Sequence, residues 1–484
     1  MSSTISRRSF LISLAAGATV VGFDPLGRSW VTEAEAAPLV GIPPLDGELL
    51  TDPASLQQAA NDFGHIVHRT SRAVLRPGSV DDIVTMVRFC NRHLIPVAAR
   101  GQGHSTFGQP QVEDGLVIDM GPLSTVHHVG ADRAVVDAGT VWSEVLTAAL
   151  EEGKAPPVMT DFLELSVGGT LTVGGIGGTT FRHGFQVDNV LSLEVVTGEG
   201  RLVTCSPRRN RDLFEAVLAG LGQCALIVRA TVRMVRATEL VRVYLLTYSD
   251  LAAFTSDQRL LIADGRFDYV EGQVVPDPAG GWSFLLEAAK FFTPPRLPDD
   301  EVLLDGLQFD SGGMQEPDLT YSEFQNRLAF LPSIPGWTTD PHPWINLFVP
   351  ASFVDDYVSD VLVDLEAGDV NGPILLYPFW SRRATRPMLQ IPDQRVVFLL
   401  ALLRTAVPVP SVPSVDEMLR SNRELFEQAR DVGGKQYPIG AIPFTRSDWR
   451  DHFGDQWDRL VAAKRRYDPN RILTPGQGIF RPPS

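Results

Sequence analysis

The chain is poor in cysteine: three among 484 residues, Cys90, Cys205 and Cys224. So odd and sparse a set in a chain of this size excludes a disulfide framework. No CxxC, HExxH or paired-histidine spacing occurs, so a metal site has no support. Positive charge is also short. Lys and Arg total 42 against 58 Asp and Glu, a net charge of −16, which argues against nucleic acid or an anionic membrane surface as partner. No internal stretch reaches the roughly 20 apolar residues that span a bilayer. Internal repeats and low-complexity tracts are missing too.

What is present is ordinary globular composition, 44% hydrophobic and 21% charged. Chains beyond about 250–300 residues usually divide, so two domains are expected. The first 36 residues stand apart. Arg7 and Arg8 precede an apolar segment from Phe10 to Phe23 and the small-residue stretch AEAA, the pattern of a twin-arginine export signal cut between Ala36 and Ala37. The expected location is therefore periplasmic or secreted.

From Ala73 to Ala99 the pattern reads strand, helix, strand. Ser79 with Asp82 suggests a capping box, and Val80, Ile83, Val84, Val87, Cys90 and Leu94 form one apolar stripe. Cys90 on that stripe is expected to be buried packing. Pro96 is expected to end the helix. LVIDM and RAVVDAG read as strands, and TVWSEVLTAALEEG as a helix closed by Gly153. The middle of the chain differs: VRVYLLTY, FDYVEGQVV and WSFLLEAAKFF are strand-like runs between proline-rich loops. They predict a second domain over 237–430, an antiparallel sheet with helices on one side, within an α+β fold.

Two glycine-rich segments carry the chemistry. RGQGHSTFG follows the strand-like VAA, and glycine lets backbone N–H groups close around an anion. It is neither a Walker loop, lacking GK[ST], nor a dinucleotide fingerprint, because it does not run into a helix. VGGTLTVGGIGG, at 167–178, holds three glycine pairs and reads as a second loop. Two such loops in one domain suggest a large cofactor with a pyrophosphate.

These segments, with TDFLELSVGGTLTVGGIGGTTFRHG, NVLSLEVVTGEG, GLGQCALIVRATV, FDYVEGQV, DPHPWINLFVP and the C-terminal TRSDWRDHFGDQWDRLVAAKRRYDPNRILTPGQGIF, resemble the vanillyl-alcohol oxidase superfamily. Within it the chain is most similar to the cytokinin dehydrogenases. The resemblance implies a two-subdomain PCMH-type FAD-binding domain whose first part is residues 37–236 and whose C-terminal part is 431–484, with the 237–430 domain as substrate cap. It implies that His104 carries FAD covalently, with Arg100, Gly101, Gln102, Gly103, Ser105 and Gln109 lining the flavin and its pyrophosphate. By matching position Ser166, Thr172, Ile176, Ile227, Thr474 and Gln477 also contact FAD. The stretch 157–178 holds no cysteine, so a single covalent bond is expected.

Asp161, in MTDFLEL, is a turn or cap residue by bare statistics. The resemblance makes it the catalytic acid that accepts the substrate N–H proton as hydride passes to the flavin. The product would be an imine, hydrolysed to adenine and an aldehyde when the substrate is an N6-substituted adenine. Glu287 shares a strand face with Leu285, Ala289 and Phe291 and needs a partner there, unless it is an edge residue in solvent. The resemblance makes it the anchor of the purine ring. Glu271 reads as structural. Trp380 stands where the family has asparagine, as a stacking surface or as core, and keeps another amine, an alcohol or a sugar open as substrate. The electron acceptor is oxygen or a quinone.

Overall fold

The computed structural model describes residues 20, 22–24, 29–31 and 40–480. Arg7, Arg8 and the expected cleavage site lie outside them. Among the described residues no helix is long and apolar enough to cross a membrane.

The fold is mixed α and β, built on three principal sheets. The first has the strand order Glu48–Leu50, Ala73–Arg76, Leu116–Asp119, Val97–Arg100. Its last three strands run parallel, which requires a crossover, and the helix Val80–His93 supplies one. Ile83, Met86, Val87 and Cys90 of that helix are fully buried against the sheet. The capping box over 79–82 is only half formed. Ser79 accepts from the Asp82 N–H, but the Asp82 carboxylate turns to the N–H groups of Asp46, Gly47 and Gly78 and ties in the preceding strand. The helix ends before Pro96, at Leu94 in the left-handed conformation.

The second sheet is antiparallel, with order Leu202–Cys205, Val190–Thr197, Ala225–Arg233, Arg133–Asp137, Val126–Val129. The third, also antiparallel, has the long strands Leu240–Tyr248, Trp282–Phe292, Tyr269–Pro276, Ile374–Trp380, Val396–Leu402 and Ile345–Pro350 side by side. Helix Leu251–Asp264 covers one face, with Phe254 and Leu261 buried. The sheet ends at Lys435–Gln436, beyond residue 430. The chain then returns to the first sheet, where Leu473 bridges Val97 in parallel. That return matters for function, because it sets the tail beside the RGQGHST loop.

One expected loop is partly helix. Val167–Val173 forms a short helix whose first turn is capped by Ser166 Oγ on the Gly169 N–H. The serine cap outweighs the flexibility of Gly168 and Gly169. Gly168 is needed for another reason: a Cβ there would lie 2.9 Å from the Ala138 methyl.

Candidate active site

The first glycine segment leaves the strand Val97–Arg100, and the second begins at Ser166. They meet closely, because a Cβ on Gly101 would sit 2.0 Å from Ser166 Oγ. Leu221 N–H donates to Thr172 O, and Thr474 Oγ1 donates to Gly222 O at 2.9 Å. Gly476 packs on the carbonyls of Gly108, Gln109 and Gln111. The fold thus gathers the loop residues 100–109, Ser166, Thr172, Thr474 and Gln477 at one edge of the first sheet. Gln109 spends its side chain on the protein, accepting from Phe107 N–H and donating to Gly440 O. Ile227 and Ile176 are buried in the main core cluster.

Over 102–105 the first loop is held through its carbonyls, which leaves the amides of that stretch unspent. Gly103 O and Ser105 O accept from Phe63 and Gly64. Among the described residues the N–H groups of Gln102, Gly103, His104 and Ser105 have no protein acceptor. Such donors gathered on one loop are the chemistry of an anion-binding nest. His104 adds a second mark. Its ring is half-buried, but Nε2 is fully buried with no hydrogen-bond partner among the described residues. Burial pushes its pKa down to about 4, so the imidazole is neutral and its lone pair free. These residues fit a phosphorylated, covalently held cofactor.

Phe162 lies beside His104, centroids 5.3 Å apart, and leads along the chain to the acids. The neighbouring Asp161 accepts a hydrogen bond from Tyr269 Oη at 3.0 Å. Arg327 Nη2 donates to the same phenol oxygen at 2.6 Å, and Nε sits 2.9 Å from Glu287. Arg327 also lies 3.6 Å from Asp161. Glu271 touches Tyr269 Oη from the opposite side. Asp161 and Glu287 are therefore brought into one cluster, through Arg327. Glu287 is not a free acid over an apolar face: its carboxylate is already held by a guanidinium.

Tyr269 and Arg327 are residues that sequence reasoning missed, and Glu271, which reads as structural from sequence, joins them here. Glu271 faces Glu287 directly across two antiparallel strands, an arrangement that repels unless charge is compensated. Hydrogen-bond arithmetic fixes the compensation. Tyr269 has one hydroxyl hydrogen, and Arg327 can only donate. With carboxyl groups on both sides of the phenol, one must bring its own proton. Glu271 is the buried one, and burial raises its pKa well above the usual carboxylate range, with Asp161 pushing the same way. We assign the proton to Glu271, so that Tyr269 donates to Asp161. Burial also raises Glu287, against the pull of Arg327. For Arg327 itself burial opposes the charge, but the acceptor oxygen of Tyr269 and the carboxylates of Glu287 and Asp161 outweigh it and hold its pKa above the usual value.

The second glycine segment closes the far side. Gly178 packs on the Tyr269 ring, where a Cβ would sit 2.4 Å from the phenol carbon, and Gly175 N–H donates to Tyr437 Oη at 2.8 Å. Trp380 takes no part. It is buried, and its indole N–H donates to Ile262 O of the covering helix at 3.1 Å. Tyr377 and Phe379 alternate to the opposite face, so Trp380 is core and not a stacking surface in the site.

Comparison with known proteins follows the same two halves. Residues 71–206 match the FAD binding domain, and residues 278–480 match the family described as "Cytokinin dehydrogenase 1, FAD and cytokinin binding". The chain is 43% identical to an uncharacterized oxidoreductase of the fasciation locus of Rhodococcoides fascians, covering 88% of this chain and 97% of that one. It is 39% identical to cytokinin dehydrogenase 10 of Oryza sativa subsp. japonica, over 89% and 88% of the two chains. Among solved structures, 6-hydroxy-D-nicotine oxidase from Arthrobacter nicotinovorans superposes with a TM-score of 0.70 at 19% identity, covering 89% and 96%, which shows a shared fold.

Proposed function

The chain belongs to the cytokinin dehydrogenase family of FAD-dependent oxidoreductases, and from that premise we propose that it oxidises the bond between N6 and the substituent carbon of an N6-substituted adenine. The observation that carries this reading is Asp161. It is an acid with 20% of its side chain exposed, backed by a phenol donor and a guanidinium, and it is next in sequence to Phe162, whose ring centroid lies 5.3 Å from that of His104. FAD, when bound, would supply the acceptor for the hydride, which carries both electrons of the oxidation. Asp161, held by the Tyr269 hydroxyl, accepts the proton that leaves the substrate nitrogen. Arg327 and Glu287 form a pair with Nε 2.9 Å from the carboxylate, and Glu287 offers the purine ring an acceptor that is already oriented. The imine released from this site is hydrolysed by water to adenine and an aldehyde.

His104 is the residue we assign to the covalent link, on the strength of its neutral, unpartnered Nε2. Arg7 and Arg8 ahead of a short apolar segment support export by the twin-arginine route, and cell fractionation of the double variant Arg7→Lys, Arg8→Lys checks it. A same-family oxidase of another amine, an alcohol or a sugar is the second reading, and Trp380, being core, no longer favours it.

The test is anaerobic. Purified protein whose yellow colour survives acid precipitation is mixed with isopentenyladenine. Bleaching with release of adenine supports the reading. A flavin that stays oxidised moves the substrate to the second reading, and protein without flavin refutes the assignment of His104.

A further inference from the structure

We propose that Phe63 is the positioning residue for attachment of the flavin to His104; this rests on the reading of His104 as the flavin-bearing residue. Phe63 lies outside both glycine segments, in Asp62–Gly64, yet that short stretch is bonded to the first loop at every residue. Phe63 N–H donates to Gly103 O at 2.8 Å and Gly64 N–H to Ser105 O at 3.0 Å, one on each side of His104. The Asp62 carboxylate accepts from the Ser105 hydroxyl at 2.8 Å and the Gly108 N–H at 2.7 Å. A Cβ on Gly64 would fall 2.1 Å from Thr106 O, so the two backbones are in direct contact.

On this clamp the Phe63 ring lies flat on the imidazole, centroids 4.0 Å apart and planes 12° from parallel. Its other face is covered by His342 at 4.1 Å and 1°. His342 is itself pinned: Nε2 lies 3.0 Å from Trp337 O, Nδ1 lies 3.2 Å from the Thr405 hydroxyl, and its N–H donates to Gly64 O. Phe63 is only half-buried, so filling the core does not account for it.

The three-ring stack does what the attachment reaction needs. An imidazole attacks along a lone pair in its own ring plane. The torsion that turns that plane is broad in a free histidine. Fixing the plane while leaving Nε2 without a hydrogen-bond partner removes that freedom before the cofactor arrives, which is how oriented groups gain rate. In the reaction a ring nitrogen forms a bond to the methyl carbon at position 8 of the flavin. One C–H proton and the N–H proton leave, two electrons pass to the isoalloxazine, and dioxygen then removes them as hydrogen peroxide.

The full chain is produced in riboflavin-starved cells, given FAD in air, and sampled over time for flavin that stays with acid-precipitated protein. Phe63→Leu keeps apolar bulk but loses the flat face, and is expected to attach flavin about tenfold more slowly. It should still quench free FAD fluorescence at the wild-type concentration and keep the wild-type melting temperature. Phe63→Trp should restore most of the rate. Attachment by Phe63→Leu at the wild-type rate overturns the proposal, and so does a slow rate matched by equal losses of loose FAD binding and thermal stability. If wild type retains no more flavin than His104→Ala, the reading of His104 has failed, and the role of Phe63 falls with it.

Discussion

Arg327→Met removes the guanidinium that joins Asp161, Tyr269 and Glu287 while keeping most of its apolar volume. The side chains of Arg327 and Glu287 are 18% and 13% exposed, so their 2.9 Å contact is screened little by solvent. Two limits bound the cost. Removing one partner of a buried pair costs about 3–5 kcal/mol. The cluster can instead take up a proton, and protonating a carboxylate of ordinary value 4.5 at pH 7 costs about 3.4 kcal/mol, at about 1.36 kcal/mol per pH unit. The cheaper route wins, so the expected deficit at neutral pH is about 3 kcal/mol. Its sign with pH follows. Without Arg327 the folded-state value of Glu287 rises further above its unfolded value. Stability from the protonated form is then complete below about pH 4.5 and is lost as pH climbs through the raised value. Urea unfolding of both proteins from pH 5 to pH 8 should show a deficit that grows with pH, at up to about 1.4 kcal/mol per unit. A deficit of the same size at both ends would refute the electrostatic account. It would point to lost packing on Phe324, whose ring centroid lies 4.5 Å from the guanidinium.

Asp161→Asn should keep the yellow colour and the fold while slowing flavin reduction by about 10²–10⁴-fold in anaerobic stopped flow; reduction at the wild-type rate would exclude Asp161 as proton acceptor. Trp380→Phe leaves Ile262 O without its donor and should cost about 1–3 kcal/mol in denaturant unfolding, with KM for the substrate unchanged. A raised KM would return Trp380 to the site. Asp62 is pushed up to about 6 by burial, against its bonds from Ser105 and Gly108 and the charge of Arg100. Its raised value means wild-type stability is lost as pH rises from about 4 through about 6. Asp62→Asn keeps an oxygen for both donors, because the second carboxylate oxygen has no partner among the described residues. It should therefore gain on wild type above pH 6 by up to about 3 kcal/mol, read from unfolding midpoints at pH 5 and pH 8.

Local patterns were legible wherever one element decided its own fate. The stripe from Ile83 to Cys90, the long strands of the third sheet and the glycine loop at 101–103 follow from period and composition, and the structure places them as expected. The stretch 167–173 misled because a serine cap at Ser166 outweighs two glycines, a contest that composition does not display. Glu271 read as structural because its meaning is a matter of register. Only when Tyr269–Pro276 pairs with Trp282–Phe292 does it stand opposite Glu287 and demand a proton or a cation. Arg327 gave no signal at all: it sits in FQNRL, an unremarkable surface-like run, and reaches the acids from a helix–turn segment more than a hundred residues after Asp161 in sequence. The glycine loop at 101–103 could be read from glycine spacing, since the turn it makes is local. The residues that balance charge around Asp161 could not, because buried carboxylates recruit partners through space. A search of the sequence for acids would find Asp161, Glu271 and Glu287 alike; what separates their roles is which of them the single hydroxyl hydrogen of Tyr269 can serve.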